Sequence, residues 1–248
     1  MRALVRRPSP RLADGLLTHI DRVPVDVDLA YRQWDGYVEA LQSVGWQTIE
    51  VAPAPDHADS VFVEDALVWW DGTAVVTFPG AVERRGEILG AEAAARDLGA
   101  NVVHIEPPDT LDGGDVLKIG ERFYVGVGGR STLGACEQLA ELLRVEVIPV
   151  PTTKVLHLKS AVTALPDGTA VGYLPLVDDP GAFDNFLAVP EPGAEVVVID
   201  DETVLMATST PRSRELFEAR GLRVVAVDIS EFEKLEGCVT CLSVRLRG

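Results

Sequence analysis

Apolar positions change period repeatedly along the chain. Between Asp26 and Gly45, the residues Leu29, Trp34, Tyr37, Val38 and Leu41 recur at helical spacing and predict a helix that stops at Gly45. WQTIEVAPAP then reads as a strand entering a Pro-rich loop. From there a unit repeats. FVEDALVWWDGTAVVTFPGAVERRGEILGAEAAARDLG predicts a strand, a turn at Asp71-Gly72, a second strand and a helix. GGDVLKIGERFYVGVGGRSTLGACEQLAELL repeats the pattern about Gly120-Glu121. HLKSAVTALPDGTAVGYLP carries the two strands about Asp167-Gly168, with its helix shortened or lost. AEVVVIDDETVLMATSTPRSRELFEARG has the full form, with Asp200-Asp201 at the turn. NVVHIEP, VEVIPVP and LRVVAVDIS read as further strands, and Met1 to Val51 supplies a strand, a helix and a strand of its own.

Four or five strand–hairpin–helix–strand modules thus recur at roughly 35–50 residues, a period typical of arrays and propellers. Plain α/β alternation predicts a doubly wound parallel sheet. A hairpin inside each unit argues otherwise, because hairpin partners are antiparallel. The expectation is an α/β ring of modules whose hairpins present equivalent ends to one axis, with residues 1–248 forming a single domain.

Composition changes this picture little. The chain is 47% hydrophobic and 25% charged, as expected of a soluble globular protein. Its net charge of -17 argues against nucleic acid as a partner and favours a cationic ligand. No apolar run approaches the ~20 residues of a membrane helix, and MRALVRRPSP lacks the apolar core of a secretory signal. Three cysteines make a disulfide framework improbable. These features predict a cytoplasmic protein with no membrane partner.

Polar residues at the module starts are the candidates for chemistry. They are Asp59, Glu64 and Asp65 in DSVFVED, Asp112 and Asp115 in LDGGD, His157, Lys159 and Ser160 in HLKS, and Cys241 and Ser243 in VTCLS. Each group opens or interrupts an apolar strand, where a buried carboxylate costs free energy unless paired. Together they offer a Cys–His–carboxylate set, in which a base activates the thiol and a carboxylate orients the base. His19 and His57 lie in polar loops and His104 alternates within a strand, which leaves His157. Asp112, before two glycines, suits the orienting role. Cys136 sits on an amphipathic helix and reads as core, Cys238 reads as turn or wall, and Cys241 alternates with Ser243 in a final strand. The C-x-x-C spacing of Cys238 and Cys241 lacks the helix start of a thioredoxin-like pair, and no second ligand pair exists for zinc.

The blocks DSVFVEDALV, TFPGAVERRGE, LDGGDVLKIG, YVGVGGRS, VLHLKSAVTALP and EFEKLEGCVTCLSV resemble the dimethylarginine dimethylaminohydrolase family of the guanidino-group-modifying superfamily. The resemblance implies an α/β fold, a five-bladed propeller of ββαβ-type modules. It implies hydrolysis of Nω-methylated arginines to citrulline and an amine through a covalent thiouronium, with no metal or organic cofactor, by a monomer or homodimer. Residue by residue, it implies Cys241 as nucleophile, His157 as general acid and base, and Asp112 as its orienting carboxylate. Asp65 and its neighbour Glu64 match residues around the substrate guanidinium, and Asp59 matches a further substrate contact. Arg84 and Arg130 match contacts to the substrate carboxylate. Leu16, in a loop that covers the site, and Ser160 and Leu235 match further pocket contacts. Arginine deiminases, the nearest alternative, usually carry an inserted helical domain and a Gly-rich run before a His-Cys pair; this chain has neither. A non-catalytic binding propeller would not need the full Cys241–His157–Asp112 set.

Overall fold

A computed structural model describes residues 1–247. The first module comprises β1 (Arg2–Val5), α1 (Val27–Ser43) and β2 (Gln47–Glu50). Asp26 caps α1 by accepting a hydrogen bond from the Leu29 N–H, and Gly45 ends it in the left-handed conformation at φ +85°. The second module is β3 (Leu67–Trp70), β4 (Thr73–Val76), α2 (Ile88–Asp97) and β5 (Asn101–His104). Its hairpin turns through Asp71 and Gly72 at φ 42° and 73°, the paired positive angles that a tight two-residue hairpin demands. The third is β6 (Val116–Ile119), β7 (Arg122–Val127), α3 (Leu133–Leu143) and β8 (Glu146–Pro151). The fourth, β9 (Val162–Ala164), β10 (Ala170–Gly172) and β11 (Phe186–Ala188), has two single 3-10 turns in place of its helix. The fifth is β12 (Val196–Val198), β13 (Thr203–Ala207), α4 (Pro211–Ala219) and β14 (Arg223–Val227). A short helix α5 (Ser230–Glu233) leads to β15 (Val244–Leu246).

These strands form five three-stranded sheets. In each, the central strand pairs antiparallel with one neighbour and parallel with the other. The opening module is not self-contained as its sequence suggests: its third strand is β15, whose Val244 pairs with Leu4 and Leu246 with Arg2. The ring is therefore closed by the two ends of the chain. The fourth module's β11 was not among the strands expected from the pattern.

Alternate residues of one strand feed different cores, because each sheet is covered on both faces by its neighbours. Leu4 and Val244 pack with Leu67 and Ala74, whereas Ala3 and Val5 pack with Val197 and Leu205. Val75 joins Phe123 and Val125, Tyr124 joins Val162 and Ala170, and Val171 joins Val196 and Val204. Five interfaces, each shared by adjacent sheets, run round the ring and return to the first. This is a five-bladed α/β-propeller. No described helix is long and apolar enough to cross a membrane.

Candidate active site

Four of the five modules deliver a polar cluster just ahead of their outer antiparallel strand, β3, β6, β9 and β15. Single 3-10 turns, Val63–Ala66, Gly113–Asp115 and Leu158–Ser160, precede β3, β6 and β9. Cys241 likewise lies in a turn ahead of β15 rather than within a final strand, a correction to the alternating pattern read in the sequence. The turns pack tightly at the axis. A Cβ on Gly113 would strike the Glu64 carbonyl oxygen, and one on Gly114 would lie 2.6 Å from His157 Nδ1, so both glycines are needed for close approach.

His157 is buried between two carboxylates. Its Nε2 lies 3.0 Å from Asp112 Oδ2 and its Nδ1 lies 3.7 Å from Asp65 Oδ1. Asp112 is fully buried, and its Oδ1 accepts a hydrogen bond from the Gly80 N–H at 2.9 Å. Asp115 fixes the turn that carries His157 by accepting the Leu158 N–H at 2.9 Å and the Ser131 hydroxyl at 2.6 Å. Burial on its own lowers the His157 pKa, but Asp65, the hydrogen bond with Asp112 and the charge of Asp115 outweigh it and raise it to about 9. The ring is an imidazolium near neutral pH. Asp65 is correspondingly held at about 2: burial opposes its charge, and His157, Arg84 and the Gly114 N–H overcome that penalty.

Cys241, His157, Asp65, Asp59, Arg84, Arg130, Leu16 and Leu235 line one cavity. Its volume of about 10 Å³ has room for roughly one water. Leu16 to His19 close it. The Leu16 N–H donates to the Asp59 carboxylate, and the N–H groups of Thr18 and His19 donate to the Glu236 carboxylate at 2.6 and 2.9 Å. The Cys241 thiol is buried 3.3 Å from the Cys238 sulfur. Its pKa is raised by the hydrogen bond to Cys238, by burial, and by the charges of Cys238, Glu64 and Asp65.

Several expected residues stand differently from the sequence reading. Arg84 lines the cavity, but its guanidinium is bonded to the protein: Nη1 to Asp65 Oδ2 at 2.5 Å, Nε and Nη2 to Glu87, and Nη2 also to the Asp59 and Phe62 carbonyls. Arg130 has a buried Nη1 with no hydrogen-bond partner and so retains free donors. Glu64 does not line the cavity. Its Oε1 takes Lys159 at 2.5 Å and also Arg245, and its backbone N–H donates to the Cys241 carbonyl. Successive residues of a tight turn point in different directions, which separates Glu64 from Asp65. Ser160 lines an adjacent cavity together with Cys238. Cys136 is core, on α3. The Glu236 latch was not anticipated: a loop acid bonding another loop some 218 positions away leaves no periodic signal. Among the described residues, no group of three or more His, Cys, Asp or Glu is arranged to hold a metal ion.

No protein-family model matches the chain. A curated N(G),N(G)-dimethylarginine dimethylaminohydrolase of Streptomyces coelicolor is 58% identical, over 99% of this chain and 97% of that protein. That of Pseudomonas aeruginosa is 32% identical, over 98% of each. Among solved structures, a cysteine-to-serine mutant of the Pseudomonas enzyme complexed with citrulline superposes with a TM-score of 0.91 over 98% of each chain, at 32% identity. A histidine-to-glycine variant of a dimethylarginine dimethylaminohydrolase, an adduct with S-methyl-L-thiocitrulline, gives 0.90 over the same shares at 31% identity. The N-terminal domain of an arginine dihydrolase from cyanobacteria, at 21% identity and a TM-score of 0.90, shares the fold.

Proposed function

The chain belongs to the dimethylarginine dimethylaminohydrolase family, and from that premise we propose how its own residues carry the reaction. The enzyme hydrolyses Nω-methylated L-arginines to L-citrulline and methylamine or dimethylamine through a covalent cysteine intermediate. The observation that carries the assignment of roles is the His157 ring, held between Asp112 and Asp65 on the wall of the cavity that Cys241 lines.

The substrate guanidinium is planar and cationic. Asp65 receives it: Oδ1 already accepts Gly114 and Oδ2 accepts Arg84, yet a carboxylate has about four lone-pair sites, so two remain for a bidentate contact. Arg84 then acts by aiming Asp65, and Arg130 supplies the free donors for the substrate carboxylate. Asp59 bonds the Leu16 N–H and so couples the covering loop to the same wall.

Charge decides when the thiol ionises. The Cys241 pKa is raised by its hydrogen bond to Cys238, by burial and by the negative charges of Cys238, Glu64 and Asp65. A bound cation offsets those negative charges and favours the thiolate. The thiolate forms a bond to the guanidinium carbon, and the His157 imidazolium protonates the departing amine as the C–N bond breaks. The neutral ring then takes a proton from water, whose oxygen adds to the same carbon. Collapse breaks the C–S bond and releases citrulline, the added hydroxyl becoming the ureido carbonyl as its proton passes to the departing Cys241 sulfur. Asp112 keeps Nε2 of the ring fixed, leaving Nδ1 as the working nitrogen. The three cysteines are unpaired, which supports a reducing, cytoplasmic setting. Closure of the ring by both termini supports reading residues 1–248 as one domain.

Citrulline release from arginine, monomethylarginine, dimethylarginine and agmatine tests the reading. Turnover of the methylated arginines, and its loss in Cys241→Ser, is the expected result. Faster turnover of unmethylated arginine would overturn it.

A further inference from the structure

Cys238 is a buried thiol that the hydrolysis leaves unused. Its sulfur lies 3.3 Å from that of Cys241, and the Cys241 N–H donates to the Cys238 carbonyl at 3.2 Å. That bond closes a four-residue turn, whose end Cα atoms lie within about 7 Å, close to the span a disulfide bridges. The sulfurs would have to approach by only about 1.2 Å to bond. Tyr37 holds the turn in place, its hydroxyl donating to the Val239 carbonyl at 2.9 Å.

The two sulfurs open onto different spaces. Cys241 lines the closed substrate cavity. Cys238 lines a neighbouring cavity of about 430 Å³, beside Ser160 and Glu195. A small oxidant can therefore meet Cys238 from this second cavity, whose wall includes His19 at the end of the covering loop, rather than through the substrate cavity. The Thr240 hydroxyl at 3.2 Å and the Cys241 sulfur at 3.3 Å are both placed to hydrogen-bond the Cys238 sulfur. They lower its pKa to about 7 against the opposing effect of burial.

We infer that Cys238 and Cys241 form an oxidative modification site, an intra-turn disulfide made by a hydroperoxide-class oxidant that reversibly captures the nucleophile. The Cys238 thiolate attacks a peroxide oxygen; an S–O bond forms, the O–O bond breaks, and hydroxide leaves and takes up a proton as water. Cys241 then attacks the Cys238 sulfur. The S–S bond forms, the S–O bond breaks, and the Cys241 proton leaves with the hydroxyl as a second water. Two thiols lose two electrons and the peroxide becomes two waters. With its sulfur in a disulfide, Cys241 has no thiolate to offer. A dithiol restores it, whereas a lone Cys241 would pass from sulfenic to sulfinic acid, which a dithiol does not reverse.

Both cysteines fall in one tryptic peptide, Leu235–Arg245, which makes the test direct. The reduced protein is treated with hydrogen peroxide and digested without reductant. The expected peptide is lighter by about 2 Da, activity falls in step with its appearance, and dithiothreitol recovers both. In Cys238→Ser or Cys238→Ala, inactivation should add oxygen to the peptide and resist dithiothreitol, each variant being compared with its own untreated activity. Cys136→Ser should behave as wild type. A wild-type peptide that gains oxygen without ever becoming lighter overturns the inference, as does equal dithiothreitol recovery in wild type and the Cys238 variants. The activity readout rests on Cys241 being the nucleophile; the mass readout does not. A lighter peptide with full activity would keep the disulfide and overturn the role assigned to Cys241.

Discussion

Glu64 and Asp65 are consecutive residues of one 3-10 turn, both nearly fully buried, and their surroundings are opposite. Glu64 faces two cations, Lys159 and Arg245, and is closed off from the substrate cavity. Asp65 faces one fixed cation, Arg84, and one titratable ring, His157, and lines the cavity wall. The first arrangement is an ion-paired plug at the axis, in which Oε1 holds both permanent cations while the buried Oε2 has no hydrogen-bond partner. The second is incomplete without a ligand, since Asp65 keeps unused lone pairs and the His157 proton can leave. A buried charge serves structure where its partners are permanent and chemistry where one partner is exchangeable.

Substitutions at the two positions should therefore separate rate from stability. Asp65→Asn removes the negative charge that receives the guanidinium, which is also the largest charge raising the His157 pKa. We expect citrulline formation to fall by about 10²–10⁴-fold and the His157 titration, followed by NMR, to move down from about 9. Fold stability should fall as well, by up to about 3 kcal/mol, because Asp65 shares the ion-pair energy of His157, so the rate is read on the folded fraction. An unchanged His157 titration would remove Asp65 from the site. Glu64→Gln should cost stability and spare the rate. It leaves Lys159 and Arg245 buried around an uncharged group, a loss of about 3–5 kcal/mol in urea unfolding, while kcat of the folded fraction stays within a few-fold. A large kcat loss with unaltered stability would mean that Glu64 also reaches substrate.

The same contrast appears in the pH dependence of stability. His157 titrates near 6.5 when unfolded and at about 9 when folded, so its contribution is fully present below about 6.5 and is lost as pH rises through 9. The shift corresponds to about 3 kcal/mol, an energy shared with Asp65 rather than additional to it. Unfolding free energies measured from pH 6 to 10 should fall over this window in wild type and stay flatter in Asp65→Asn. A flat wild-type profile would place a neutral ring between the carboxylates.

Legibility in the sequence followed how local each feature is. Asp71-Gly72 marked a hairpin because tight turns need positive φ, and the lost helix of the fourth module was visible because no helical period follows Gly172. β11 escaped notice because three residues, Phe186–Ala188, cannot establish a period. The pairing of β15 with β1 depends on closure of the whole ring, and no local pattern encodes it. Asp65, Asp112, His157 and Cys241 stood out because each interrupts an apolar run. The same signal included Glu64, since adjacency along the chain does not reveal which side of the axis a carboxylate faces. Burial of Arg84 against Asp65 and Glu87 was equally hidden, because a guanidinium in a loop reads the same whether it meets substrate or protein.

The mildest way to probe the incomplete side of the axis is at its cover. Glu236 accepts the Thr18 and His19 N–H groups, while Asp59 accepts that of Leu16, so the loop is latched from two walls of the cavity. A cavity of about 10 Å³ admits no arginine, so these bonds must break for substrate to enter and re-form over it. Glu236→Gln keeps an acceptor oxygen but weakens the charge-assisted bonds, which are worth about 1.5–3 kcal/mol each at most and less where water competes. Opening becomes easier and closure less complete. We expect KM to rise by about three- to ten-fold with a smaller change in kcat, because no group that touches the reacting carbon is altered. The loop amides of Thr18 and His19 should exchange hydrogen faster in the variant, and saturating substrate should slow them again. Unchanged exchange would show that Asp59 alone holds the cover, and the latch would then belong to the permanent side of the molecule rather than to the exchangeable one.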